Sequence, residues 1–349
     1  MNLPLRIAVV GCGGFAPSHL KRLQASDRFE AVAVADINEH AARSRAQEFG
    51  VPRWETDYRK LLASSDVEAV LVLTPALAHA PVTIDALHAG KHVFCEKPMA
   101  RTVADARAMA EAARTTGLVL QIGYPMRHSP DALNLRRLIL DGRVGRPVWF
   151  RDIWALSKGN PSPSTHDRDL GGGVIYELAH WLDFVSFVFG PATTVYAVTA
   201  RFKPDPTTAE DTFLAVIEFA SRDTAIWSES WAAKGMGYDV PPVGRKVRPT
   251  LDVIGPRGSI HFPGPSGEKV LSLYESEDQS RAPTQQWLWE TDWGANSSGY
   301  VAELEHFYRA VREGVPPVPS GKEALLANVL AEAVTESGST GEPVRLRPS

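Results

Sequence analysis

The chain is poor in cysteine. Cys12 and Cys95 are the only two among 349 residues, too few for a disulfide framework, which points to a reducing compartment, the cytoplasm. Long apolar runs are lacking too. The early one, residues 7–10, breaks at Gly11 and is too short for the apolar core of a signal peptide. No later one approaches the ~20 residues of a membrane-spanning helix. Charge of one sign is also scarce: 37 Lys and Arg stand against 41 Asp and Glu, a net charge of −4. That excludes a polybasic surface for nucleic acid or an anionic membrane and leaves a small molecule as the expected partner. What is present is 44% hydrophobic and 22% charged, an ordinary globular balance, over a length that suits two domains.

Short runs rich in Val, Ile and Ala at residues 6–10, 31–35, 69–73, 93–95 and 118–122 read as strands apolar on both faces, the pattern of a buried parallel sheet. Helix-like stretches lie between them: 39–49 before Gly50, 82–89 before Gly90, and 103–114 near Gly117. The alternation predicts an α/β doubly wound (Rossmann) sheet. The turn after the first strand reads Gly11-Cys12-Gly13-Gly14-Phe15-Ala16. In G-x-G-x-x-A the glycines allow a tight turn and a close approach to a pyrophosphate, which the next helix N-terminus attracts. Asp36, 20 residues beyond Ala16, is placed to accept hydrogen bonds from a ribose diol, with Ile37 beside it. An acid there favours NAD over NADP, although Arg43 and Arg45 keep NADP open as an alternative. Thr74, Pro75, Ala76 and His79 follow the fourth strand and border the nicotinamide-ribose end of the cofactor. The fifth strand ends in Glu96-Lys97-Pro98. Pro98 forces Lys97 into an extended conformation, so the lysine projects into the cleft, where such a group can donate to a substrate hydroxyl or move a proton. Cys12 reads as a packing residue.

From residue 144 onward strand signals dominate, at 148–154, 194–202, 212–219, 224–231 and 250–254. Residues 212–219 are apolar on both faces, so the sheet needs a cover on both, helices on one side and another subunit on the other. Gly171-Gly172-Gly173 opens a predicted helix carrying Glu177, His180 and Asp183 at i, i+3 and i+6, about 120° of one face. His180 with Glu177 can take a hydroxyl proton. Eight of nine tryptophans follow residue 140. Aromatic rings suit the C–H faces of a sugar, and they equally fill sheet layers and interfaces. Trp154 is the candidate for ligand contact, His166 and Asp167 for binding hydroxyls, and Tyr124 and Arg127, just past the sixth strand, for substrate. Residues 232–249 carry Lys234, Arg245, Lys246 and Arg248, and read as a lid, an interface arm or a diphosphate cradle.

The glycine turn, Thr74-Pro75 with His79, residues 90–98 ending in Glu96-Lys97-Pro98, the glycine triplet with its acid and histidine, and the closing stretch from Tyr300 to Val344 together resemble the Gfo/Idh/MocA oxidoreductases, named for glucose–fructose oxidoreductase and inositol dehydrogenase. The resemblance spans nearly the whole chain. It implies residues 1–123 as an NAD(P)-binding Rossmann domain. Residues 124–349 would then form an α+β substrate-binding and oligomerisation domain with a large, mostly antiparallel open sheet flanked by helices, whose closing segment packs back on the first. It implies a homodimer or homotetramer through that sheet, a catalytic role for Lys97 and for His180, and, in some relatives, a cis Lys97–Pro98 bond. One departure is the spacing of Glu177 and His180, three apart where four is common. The expected reaction is hydride transfer between NAD and a ring carbinol or ketone of a sugar, nucleotide sugar or cyclic polyol, with no metal. Two other readings stay open: cleavage of a glycosidic bond by transient oxidation with tightly held NAD, and an inactive NAD(P)-binding sensor.

Overall fold

The computed structural model describes residues 3–155, 166–203, 207–232, 250–263, 269–275, 282–289 and 298–347. Lys234, Arg245, Lys246, Arg248 and Trp293 lie outside the described residues. The chain divides into two compact units, Met1–His128 with Trp293–Asn328, and Ser129–Asp292 with Val329–Ser349.

The first unit alternates strand and helix: β1 (Leu5–Val10), α1 (Ala16–Gln24), β2 (Phe29–Ala35), α2 (Glu39–Glu48), β3 (Trp54–Glu55), α3 (Arg59–Leu62), β4 (Ala69–Val72), α4 (His79–His88), β5 (His92–Glu96), α5 (Val103–Thr116) and β6 (Leu120–Gly123). Every pairing is parallel, in the order β3-β2-β1-β4-β5-β6. β4 and β6 are buried at every position, which is why their sequences run apolar without alternation. The helices start and stop where side chains dictate. Asn38 and Thr102 accept the amides of Ala41 and Asp105 at the N-caps of α2 and α5, and α5 ends at Gly117 in the left-handed region. The sheet order reverses between β1 and β4, and a ligand crevice opens at the strands' carboxyl ends at such a switch point. β3 is only two residues long, and no apolar run marks it.

The second unit begins with α6 (Pro130–Leu140), β7 (Trp149–Ala155), α7 (Gly173–Glu177) and α8 (Ala179–Phe189). It continues with β8 (Ala192–Ala200), β9 (Thr212–Phe219), β10 (Thr224–Ser230), β11 (Thr250–Gly255), β12 (Gly258–Phe262), β13 (Val270–Tyr274) and β14 (Gln285–Leu288). Two helices, α9 (Ser298–Glu313) and α10 (Gly321–Thr340), and a short β15 (Val344–Arg345) close the chain. The sheet runs β14-β13-β12-β11-β7-β10-β9-β8-β15 and is antiparallel except where β7 pairs with β10. One face is core: Phe150 packs on Phe184 and Phe189, and Phe189 on Phe219, so α8 covers it. On the other face Tyr196, Val198, Leu214 and Ile254 stand exposed.

The first compact unit runs to His128 and takes in α9. Leu304, Phe307 and Tyr308 of α9 join the core built by Leu5, Ile7, Leu20, Phe29 and Phe94. Fully burying such a side chain contributes about 1.5–3 kcal/mol. Residues 125–128 stay with the first unit because Arg127 pairs with Glu323 and the His128 ring bonds the Val318 carbonyl.

Candidate functional site

Gly11 has φ +102, and a Cβ there would lie 2.6 Å from the Leu73 carbonyl carbon, so only glycine fits where the turn passes β4. Gly13 and Gly14 are exposed, with open space where their Cβ atoms would stand. No side chain caps α1. The Ala16 N–H donates to the Gly13 carbonyl and the Ser18 N–H to the Phe15 carbonyl, and Pro17 between them has no N–H, so the helix offers this turn its positive dipole end. Asp36 is drawn to the same place. Its Oδ2 accepts the Cys12 amide at 2.8 Å and its Oδ1 the Asn38 amide at 2.8 Å, and each oxygen keeps a lone pair for a ribose hydroxyl. Ile37 beside it is 94% exposed. A bare glycine cradle, an uncapped helix start and a fixed acid fit a dinucleotide. Cys12 is a packing residue: burial first, and Asp36 second, push its thiol up to about 12. Arg45 is engaged by Glu48 on its own helix.

Thr74 is half-buried and Pro75 exposed where β4 ends, and Ala76 starts the short turn into α4. Lys97 is half-buried after β5, and its bond to Pro98 is cis. His79, expected at the nicotinamide-ribose end, and Glu96 are both buried. His79 is 1% exposed, with Nδ1 2.7 Å from the Pro98 carbonyl and Nε2 2.7 Å from the Thr74 carbonyl. Burial pulls its imidazole below the ordinary value, while the two carbonyls work the other way. Both carbonyls can accept from the ring at once only when both nitrogens carry a proton. Glu96 is 5% exposed, and its carboxylate meets His19 of α1 and the Lys97 amide. A side chain alternates its direction along a strand, and the residue before the projecting lysine must point the other way. His19 and Glu303, which complete this buried cluster, carried no motif signal.

The second set of candidates lies in the second unit. Gly172 and Gly173 take φ +82 and +74, and a Cβ on Gly173 would stand 2.5 Å from the Glu210 carbonyl oxygen, which accepts the Val174 amide. The single helix expected after the triplet is two. Leu178, at φ −94 and ψ +22, separates α7 from α8, so Glu177 ends one helix and His180 is the second residue of the next. Their shared face does not follow from i, i+3 spacing. The break turns the apolar run of α8 onto the sheet, and Asp183 is fully buried there.

Trp154 is half-buried on β7, and its Nε1 donates to Asp152 Oδ1 at 2.8 Å. His166 is half-buried, edge-on to Trp231 at 5.9 Å, and its carbonyl accepts the amides of Thr208 and Ala209. Asp167 accepts the amides of Asp169 and Leu170, a turn-forming role. Tyr124 is fully buried, and Arg127 is 4% exposed and pairs with Glu323. Among the described residues no group of three His, Cys, Asp or Glu is placed to hold a metal, and no helix is long and apolar enough to cross a membrane.

A doubly wound sheet with this glycine turn and acid defines a dinucleotide-binding unit, here followed by a nine-stranded sheet domain. Residues 5–124 match the oxidoreductase family with an NAD-binding Rossmann fold, and residues 132–261 match the GFO/IDH/MocA C-terminal domain. The chain belongs to the Gfo/Idh/MocA family of NAD-binding oxidoreductases. It is 28% identical to the D-apiose dehydrogenase of Paraburkholderia graminis, over 97% of this chain and 89% of that protein. It is 27% identical to the scyllo-inositol 2-dehydrogenase (NAD(+)) of Bacillus subtilis, over 99% and 97%. Its fold matches the aldose-aldose oxidoreductase from Caulobacter crescentus, solved with glycerol, at TM-score 0.80 and 25% identity, covering 98% of this chain and 100% of that one.

Proposed function

We propose that this oxidoreductase transfers a hydride between NAD and a ring carbinol or ketone of a sugar or cyclic polyol. The observation that carries the substrate class is the half-buried Trp154, braced by Asp152 on the aromatic face of β7 and β10: a flat ring held in place suits a sugar face. The names of the relatives, which act on an apiose and an inositol, support it.

When bound, NAD supplies the hydride acceptor or donor. The exposed Gly13 and Gly14 and the start of α1 take its pyrophosphate, Asp36 its ribose diol, and Thr74, Pro75 and Ala76 border it. Asp36 meeting a 2′-phosphate would cost on the order of a few kcal/mol, so NADH binds more tightly than NADPH. Lys97 donates a hydrogen bond to the reacting hydroxyl, and His180, with Glu177, takes its proton on a ring nitrogen. His166 binds a further hydroxyl. The exposed apolar face of the nine-stranded sheet joins copies into a dimer or tetramer, and two free buried cysteines suit the cytoplasm.

A screen of sugars and inositols for NADH absorbance tests this, with keto-sugars and NADH in the reverse direction. On the substrate found, Lys97→Ala and His180→Ala are each expected to lower kcat roughly 10²-fold or more. Full turnover by His180→Ala would remove that residue from the proton path. Bond cleavage without net NADH would instead support the transient-oxidation reading.

A further inference from the structure

Glu96 stands directly before the lysine that the proposed reaction uses, yet its carboxylate points into the protein. Its Oε1 lies 2.9 Å from His19 Nε2, and its Oε2 accepts the Lys97 main-chain N–H at 3.1 Å. His19 is fully buried, with Phe15 edge-on at 4.9 Å and Phe94 at 6.2 Å. His19 belongs to α1, the helix that begins at the glycine turn. The opposite strand makes room for the carboxylate: a Cβ on Gly123 of β6 would stand 3.1 Å from Glu96 Oε1.

We propose that His19, acting through Glu96, is a positioning residue for Lys97, tying the lysine's main chain to the helix that carries the pyrophosphate turn. A buried carboxylate needs donors for both oxygens, and here one donor is the histidine and the other is the lysine's own amide. Movement of the imidazole is therefore movement of the segment that presents the lysine. Glu303 of α9 is the neighbour that would compete. It is fully buried, and burial first, then Glu96, push its carboxyl well above the ordinary range. Neither of its oxygens has a hydrogen-bond partner among the described residues, so His19 and the Lys97 amide are left to Glu96. Arg22, also on α1, is the nearby cation that acts on Glu303. The proposal rests on Lys97 serving the reaction.

The test uses the whole enzyme and the substrate from the screen. His19→Leu removes the donor, and His19→Gln returns an N–H close to the place of Nε2. Displacing a reacting group by a fraction of an ångström costs rate, so His19→Leu is expected to lower kcat roughly tenfold or more. Binding of NAD+, measured by calorimetry, should change by less than about threefold, because the defect lies in placement and not in affinity. His19→Gln should recover most of the loss. In the protein without NAD, exchange of the Lys97 amide hydrogen should accelerate in His19→Leu, since its acceptor is released. Unaltered kcat and unaltered exchange would overturn the proposal, as would a Gln variant no better than Leu, or a loss confined to NAD+ affinity. Should His19→Leu fail to fold, Glu96→Met decides: a thioether replaces the carboxylate, so both bonds are lost. A Glu96→Met enzyme with wild-type kcat would sink the idea. Lys97→Met separates the two readings. If it turns over normally, the role of Lys97 itself falls; if it is inactive while His19→Leu is unimpaired, only the positioning role falls.

Discussion

At the residue scale, what a side chain does here depends on whether its polar atoms face a ligand crevice or the protein. Asp152 is the case in the second unit. It is 1% exposed, and burial first, then Glu229, raise its carboxyl well above the ordinary 3.8. Its bond from the Trp154 indole N–H needs only an acceptor oxygen. A carboxyl raised on folding costs the folded state nothing below its unfolded value, and the cost grows as pH rises towards the folded value. Asp152→Asn keeps the acceptor and removes the ionisable group. It should therefore be at least as stable as the wild type at pH 7, with the advantage gone near pH 4, in urea unfolding at both pH values. Equal destabilisation at both would show that the carboxyl is ionised in the folded protein. Sequence position alone singled out Asp36 and Lys97 because a fingerprint fixes their place relative to a turn. It did not show that Glu96 meets His19 or that His79 lies between the Thr74 and Pro98 carbonyls, since those partners are set by how the elements pack.

At the element scale, the glycine triplet shows how a short stretch sets the entry to the second unit's helices. Gly173 combines φ +74 with a Cβ position 2.5 Å from the Glu210 oxygen, while Gly117, at φ +69, has open space around it. Both substitutions to alanine incur left-handed strain of about 1–3 kcal/mol, and only Gly173→Ala adds a backbone clash. Gly173→Ala should lower the melting temperature clearly more than Gly117→Ala. An equal loss in thermal scans would mean that the turn before α7 relaxes freely. Glycines, caps and buried β-runs were legible in the sequence because each acts locally. The break at Leu178 was not. The run from Gly173 to Phe189 has no proline or glycine inside it, and the break follows from seating the apolar α8 against Phe150 and its neighbours.

At the scale of the whole molecule, the nine-stranded sheet has one covered face and one open one. Tyr196, Val198 and Leu214 are 43%, 53% and 44% exposed on the adjoining strands β8 and β9 of the open face, and Ile254 of β11, beyond β10 and β7, is 42% exposed. Val198 and Leu214 are register partners across β8 and β9. A Val198→Glu, Leu214→Glu double variant should therefore shift to a smaller species in light scattering while keeping the wild-type melting profile of the monomer. An unchanged mass would exclude this face as the interface. The division of the chain belongs to this scale too. Residues 298–313 return to the first unit because the apolar face of α9 completes the core begun at β1, a long-range fit that no local pattern announces.

The sequence by itself determined the elements of the first sheet, the glycine turn with its acid, the lysine at the end of β5 and the β-rich character of the second unit. Each rests on interactions between residues near in the chain: backbone freedom at glycine, alternation or its absence along a strand, the constraint of proline on its neighbour. Only the tertiary structure decided that Arg127 pairs with Glu323, that His79 lies between two carbonyls, that Glu177 and His180 lie on separate helices, and that His19 and Glu303 surround Glu96. These depend on tertiary packing, where burial decides which polar groups must find partners inside the protein.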